Sequence, residues 1–193
     1  MTLVVAPADT LQRLDRWLDS SRPRLSGTAL VLLDGPAGSG KTTLAGQLAA
    51  RWGGQVIHMD DLYLGWDGVA AGIDRLSGEV IAPMRRGGIG RFQRYDWHTR
   101  SLAEQITVDH PPVLIVEGCH SAQPDFDDVA SLICWIEADD ELRLRRGLAR
   151  DGEVAREHWL QFMMDEQARY RSARTRERAH IHIDAWGKIV QGN

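Results

Sequence analysis

Eight consecutive residues, Gly35-Pro36-Ala37-Gly38-Ser39-Gly40-Lys41-Thr42, match the pattern G-x-x-x-x-G-K-[ST] in full. Each residue type has a chemical reason to stand where it does. The glycines let the backbone wrap tightly enough for successive N–H groups to converge on one anion. A helix beginning at Lys41 adds its positive N-terminal end to the same point. Lys41 is spaced to reach the β- and γ-phosphates of a nucleotide, and the hydroxyl of Thr42, followed by Thr43, to coordinate Mg²⁺. Lysine is otherwise scarce. Of the 23 basic residues only Lys41 and Lys188 are lysines, so a chemistry that needs a primary amine has two candidate positions, and one of them completes the motif.

A second group of residues could serve an acceptor. His58-Met59-Asp60-Asp61-Leu62-Tyr63 closes the next apolar segment. In an open α/β sheet ligands gather beyond the carboxyl ends of the strands, so these acids would face the glycine-rich loop. A carboxylate there can take the proton of an attacking hydroxyl, or hold Mg²⁺ through water. The spacing leaves open whether Asp60 or Asp61 does so.

Holding such groups together requires strands that end at the loop and helices that cover them. Residues 28–33 (TALVLL) form a continuous apolar run, the pattern of a strand buried on both faces. Comparable runs at 55–59, 113–116, 131–137 and 180–184 predict four more strands. Leu11, Leu14 and Leu18 predict a helix over 8–20, and Leu44, Leu48 and Trp52 one over 41–52. Helical character is also read over 99–108, 139–150 and 153–170. The alternation predicts an α/β fold of the P-loop NTPase type, a five-stranded parallel sheet with helices on both faces. Residues 64–97 hold seven glycines and Pro83 with no sustained period. They read as an irregular substrate-side insertion with a short helix near 69–76.

Composition excludes several classes. With 27 acidic against 23 basic residues the net charge is −4, which argues against a nucleic-acid binder held by counterion release. No run approaches the roughly 20 apolar residues of a membrane span. The start, MTLVVAPADT, lacks the charged and apolar regions of a signal peptide. Cys119 and Cys134 lie in apolar segments and form neither a CxxC nor a disulfide framework. The absence of an Asn-Lys-x-Asp motif argues against a guanine-specific switch. These features predict a single cytoplasmic domain over 1–193 that uses ATP and Mg²⁺ on a small-molecule hydroxyl acceptor, with no nucleic-acid or membrane partner.

The combination of motifs resembles the uridine kinase, phosphoribulokinase and pantothenate kinase group of P-loop kinases. The likeness rests on GPAGSGKTT after the first strand, Asp60 to Tyr63 (D-x-x-Y) after the second, Tyr95-Asp96-Trp97, Val116-Glu117-Gly118 at the end of the third, and the arginine-rich stretch from Arg143 to Asp151. It implies roles position by position. Asp60 would be the general base and Tyr63 would shape the pocket. Tyr95 and Asp96 would contact the substrate, and Glu117 would support Mg²⁺. A lid at about 139–152 would bring Arg143, Arg146 or Arg150 over the phosphates, where a planar guanidinium fork suits phosphate oxygens. Two departures stand out. The interval from Tyr63 to Tyr95 does not resemble the β-hairpin region of uridine kinases, and Cys119-His120 follows the Glu-Gly pair. The resemblance points to a uridine-like nucleoside as acceptor. A kinase of another hydroxylated metabolite, such as a sugar or pantothenate-like compound, and an ATP-binding accessory protein with slow ATPase activity remain alternatives.

Overall fold

All six residues of Ala29–Asp34 are buried, and the strand they form stands inside the main sheet. The computed structural model describes residues 5–190; the first four residues of the stretch read above for a leader lie outside them. In chain order the strands are β1 (Ala29–Asp34), β2 (Gln55–His58), β3 (Gly90–Asp96), β4 (Ser101–Val108), β5 (Val113–Glu117), β6 (Ala130–Ile136), β7 (Ile181–Ile183) and β8 (Ile189–Val190). The helices are α1 (Ala8–Ser20), α2 (Lys41–Trp52), α3 (Val69–Arg75), α4 (Ala82–Arg85), α5 (Asp140–Asp151), α6 (Arg156–Ala173) and α7 (Thr175–Arg178).

The main sheet runs β2-β5-β1-β6-β7-β8. Its first five members are parallel, and β8 pairs antiparallel with β7. The five parallel strands are those expected from the apolar runs. The sixth, β8, is two residues long and carries no period. Period-2 alternation divides β1 between two cores. Leu30 and Leu32 join Ile57, Leu114 and Val116 on one face, whereas Val31 and Leu33 join Leu14 of α1, Leu44 and Leu48 of α2, and Ile115 on the other. Strands covered on both faces need no polar side, which is why their sequences are almost uniformly apolar.

Two expectations are corrected. Residues 99–108 are not helical: Ser101–Val108 is β4, paired antiparallel with β3 in a separate two-stranded sheet. Leu102-Ala103-Glu104-Gln105 favours a helix locally, but cross-strand partners decide the outcome. Phe92 faces Ile106, Gly90 faces Val108, and Arg94 Nε donates to Glu104 Oε1 at 2.7 Å. A β-hairpin is thus formed at 90–108, after a Gly-rich interval that is itself largely helical. Residues 64–97 are also more regular than expected. Helix α3 runs on through a π-helical turn, Leu76–Ile81, into α4, so the chain is helical from Val69 to Arg85.

Topology places the candidate residues at one edge. In the β2–β5–β1 register Glu117 is the partner of both His58 and Leu33. The chain leaving β1 (the glycine-rich loop), the turn after β2 with Asp60, and Glu117 at the end of β5 therefore emerge side by side.

Helices α5 and α6 cross at Gly147. A Cβ on Gly147 would lie 2.3 Å from the Trp159 ring, and Trp159 is 2% exposed. Replacing Gly147 with Ala is expected to destabilise the protein by about 1–3 kcal/mol through overpacking. Urea denaturation monitored by tryptophan fluorescence measures this directly, and an unchanged midpoint would show that the helices separate freely.

Candidate active site

The loop at 35–40 joins β1 to α2, and two of its glycines are required by close approach. Gly35 has φ 142°, and a Cβ there would lie 2.0 Å from Ile136 O. Gly38 has φ 78°, and a Cβ would lie 2.7 Å from Arg143 O. Lys41 Nζ donates to Gly35 O at 2.7 Å and to Pro36 O at 2.9 Å, and lies 3.7 Å from Cys119 Sγ. The amine is buried. Burial pulls its pKa down, but Cys119, Glu117, Asp34 and Glu166 around it raise the balance above the ordinary value. Lys41 is held as a cation. The first amides of α2, from Lys41 through Thr43, have no acceptor inside the helix and remain available to an anion. Ser39 Oγ is buried without a partner among the described residues, a hydroxyl that a bound phosphate would satisfy.

Beneath the loop lies Asp34, fully buried at the end of β1. Its oxygens accept the amides of Gly35 at 2.7 Å and of His120 and Ala122 at 2.8 Å each. The Tyr170 hydroxyl lies 2.9 Å from the same carboxylate and 2.7 Å from Gly35 O. Burial pushes the Asp34 pKa up, and the amides, Lys41 and Tyr170 act against it.

Glu117 forms the second wall. It is 4% exposed, and its Oε1 accepts Thr42 Oγ1 at 3.0 Å and lies 2.5 Å from His58 Nδ1. A hydroxyl and a carboxylate already in contact are an oxygen-rich pair suited to Mg²⁺ and its water shell. The His58 pKa is raised, chiefly by the hydrogen bond to Glu117 and further by Asp61 and Asp60, against the effect of burial.

Asp60 and Asp61 lie in a 3-10 turn, Met59–Asp61, directly after β2. Desolvation pushes the Asp60 pKa up, with Glu117 adding to the shift and Arg150, Lys41 and His58 opposing it. Asp61 is half-buried and its pKa is also raised, by burial first. Trp97 Nε1 donates to Asp60 O at 2.9 Å, which fastens the β3–β4 hairpin over this turn. Tyr95 meets Trp97 edge-on at 5.5 Å. Asp96 accepts the amides of His98 at 2.8 Å and Thr99 at 3.0 Å and lies 3.6 Å from Arg94, and the two amides hold its carboxyl below the usual range. Tyr63 is buried, and its hydroxyl donates to Cys119 O.

The arginines separate into two groups. Arg143 Nε donates to Ala37 O at 2.9 Å, and Arg146 Nη1 donates to Gly38 O at 3.1 Å and Ser39 O at 3.2 Å. Both grip the backbone of the loop. Arg150 pairs with Asp151 at 2.7 Å, lies over the Trp159 ring at 5.7 Å, and stands close enough to Asp60 to lower that group's pKa. Residues not singled out from the sequence complete the site: Asp34, His58, Trp66, Cys119, His158, Glu166 and Tyr170. Glu166 and Tyr170, one turn apart on α6, carry helical spacing, but nothing in that spacing names the loop as their target.

No protein-family model matches the chain. Over 143 residues it is 29% identical to a tRNA dimethylallyltransferase of Acidiphilium cryptum (strain JF-5), a match covering 68% of this chain and 41% of that protein's length. Solved structures give broader coverage. A possible uridine kinase from Bacillus stearothermophilus superposes with a TM-score of 0.66 at 16% identity, covering 90% of this chain and 97% of the other. A candidate fructose transport system kinase from Silicibacter sp. TM1040 gives a TM-score of 0.63 at 20% identity, with 90% and 95% covered. The chain shares the fold of these two proteins. At these identities the likeness is one of fold, and the chemistry has to be argued from the side chains.

The His58–Glu117 contact makes stability depend on pH. Because the folded-state pKa of His58 is raised above its unfolded value of 6.5, the contribution is fully present below pH 6.5 and fades as pH rises through the folded value. The stability gap between wild type and His58→Ala is expected to be widest at pH 5.5 and narrow at pH 9, read from urea midpoints. A gap independent of pH would mean that the histidine acts by packing alone.

Proposed function

We propose that the chain is an ATP-dependent small-molecule kinase that transfers the γ-phosphoryl group of Mg-ATP to a metabolite hydroxyl, with a nucleoside as acceptor. The observation that carries this reading is Asp60. It is an exposed acid in the turn directly after β2, on the sheet edge that also bears Lys41, Thr42 and Glu117. A nucleotide sensor or accessory ATPase needs no base on the acceptor side.

Chain residues account for each requirement of the transfer. Asp60 accepts the proton of the attacking hydroxyl as the new oxygen–phosphorus bond forms, and its raised pKa makes it a better acceptor near neutral pH. Lys41 and the amides of the loop stabilise charge on the phosphate oxygens while the bond to the leaving diphosphate breaks. Arg150, near Asp60, is placed to add charge on the open side. Thr42 and Glu117 would hold Mg²⁺, which screens the phosphates and fixes their orientation.

Flat faces on both flanks favour a nucleotide and a nucleoside. Trp97, Tyr95 and Trp66 gather beside Asp60, with Trp66 edge-on to Trp97 at 5.8 Å and stacked on His158 at 5.5 Å. An aromatic ring on the acceptor can pack against them, and Asp96 offers an acceptor for its hydroxyls. Beyond the loop a pocket of about 400 Å³ is lined by Glu137, Ala138, Asp139, Asp184, Ala185 and Trp186. Arg146 lies 5.9 Å from the Trp186 ring and donates to Ala185 O, so the nucleotide's base has a planar surface within reach of the loop.

A panel of hydroxylated metabolites, nucleosides foremost, assayed for ADP release with ATP and Mg²⁺ tests the reading. Turnover is expected to rise above the water-only rate for at least one nucleoside. Asp60→Asn is expected to lower that turnover by about 10²-fold or more while ADP still binds. Equal loss of ADP binding would place Asp60 on the metal instead. A sugar or pantothenate-like compound as the sole active acceptor would overturn the nucleoside part alone, and a tRNA arm tests the activity named for the curated relative.

A further inference from the structure

Successive carbonyls of the loop are held from outside it. Arg143 takes Ala37 O, and Arg146 takes Gly38 O and Ser39 O. Ala37 is held at its other end as well. Its N–H donates to Glu166 Oε2 at 2.9 Å, and Glu166 Oε1 accepts Arg143 Nη2. One backbone residue, one carboxylate and one guanidinium thus close a ring. Both charged side chains are buried, at 6% exposure for Arg143 and 2% for Glu166.

The consequence follows from peptide geometry. In a trans peptide the carbonyl of one residue and the N–H of the next point in opposite directions. Holding Ala37 O and Ser39 O outward turns the amides of Gly38 and Gly40 to the opposite side. These are amides that a phosphate-binding loop offers to its anion. A flexible glycine-rich segment would otherwise have to order itself on each binding event, and that ordering weakens affinity.

We propose that Glu166 and Arg143 are positioning residues of the phosphate loop: they lock the Ala37 backbone so that the loop's amides are aimed before the nucleotide arrives, without touching it. The proposal rests on the reading that this loop binds nucleotide phosphate. It gives Glu166 of α6, 129 positions from Ala37, a part in ATP and ADP affinity alike.

Affinities of ADP and ATP for the full chain, measured by calorimetry well below the melting temperature, test it. Glu166→Leu is expected to weaken both nucleotides alike by about tenfold or more. Glu166→Gln keeps a single oxygen, which can accept from the Ala37 N–H or from Arg143 but not from both, and is expected to weaken both nucleotides by less than Glu166→Leu does. Arg143→Lys keeps the charge but cannot reach Ala37 O and Glu166 together, and is expected to weaken both nucleotides. Because the two side chains act through one residue, Glu166→Leu combined with Arg143→Met should lose less than the product of the single losses. Leu25→Ala, fully buried just before β1 and so at the opposite end of that strand from the loop, should lower the melting temperature and leave both affinities unchanged.

Wild-type affinity in Glu166→Leu would overturn the proposal. So would an ATP loss tenfold greater than the ADP loss, which would signal direct contact with the γ-phosphate. If Glu166→Leu does not fold, Arg143→Lys decides, and unchanged affinity there refutes the idea. Failure of the wild type to bind either nucleotide would instead refute the nucleotide reading itself.

Discussion

The buried carboxylate of Asp34 is the contact on which the rest of the site depends. Strand β1 has to stop, the chain has to turn sharply into the loop, and the segment after β5 has to pass alongside, all in the dry interior. Each leaves backbone amides without strand partners, and an unpaired buried amide costs about 1–3 kcal/mol. Asp34 accepts the amides of Gly35, His120 and Ala122 and ties them to Tyr170 of α6. One side chain thereby fixes the exit of β1, the Cys119-His120 turn and a distant helix relative to one another. A neutral residue of similar size could not accept from all of them.

From this anchor the site is graded in charge. Lys41 lies inside a ring of acidic and polar groups, Glu117, Asp34, Glu166 and Cys119. The Cys119 thiol is pushed up to about 12 by its burial, so it is a packing group beside the amine and no nucleophile. Farther out stand Asp60 and Asp61, whose pKa values are raised, and then Arg150 and Arg94 at the rim. On the proposed function, a negative ligand meets a cation and converging amides at the bottom, and its acceptor meets a carboxylate at the side. Positioning and charge are the means by which phosphoryl transfer is accelerated.

The arginine-rich stretch shows how little composition says about role. Arg143, Arg146 and Arg150 are spaced three and four apart on α5, so they share a helix face. Yet the first two grip loop carbonyls and only the third approaches Asp60. The difference lies in depth. Nearest the N-terminus of α5, Arg143 is buried against the loop and its charge is met by Glu166 and Asp140, whereas Arg150 is largely exposed near the last turn.

What the sequence determined by itself is what depends on neighbours in the chain. The cradle is a contiguous eight-residue pattern, readable from residue types and spacing alone. The five parallel strands announced themselves because burial on both faces leaves an apolar run, and α1 and α2 because one apolar stripe repeats at helical spacing. What depended on distant partners could be decided only by the tertiary structure. Residues 101–108 carry helix-favouring Leu, Ala, Glu and Gln, but Phe92, Gly90 and Arg94 across the hairpin made them a strand. Glu166 meets Ala37 across 129 positions and Tyr170 meets Asp34 across 136. His58 meets Glu117 only because β2 and β5 are adjacent in the sheet. Motif spacing and hydrophobic period are local properties, legible in order; the conformation of a segment without a clear period, and the partner of a buried charge, are set by which elements the fold brings together.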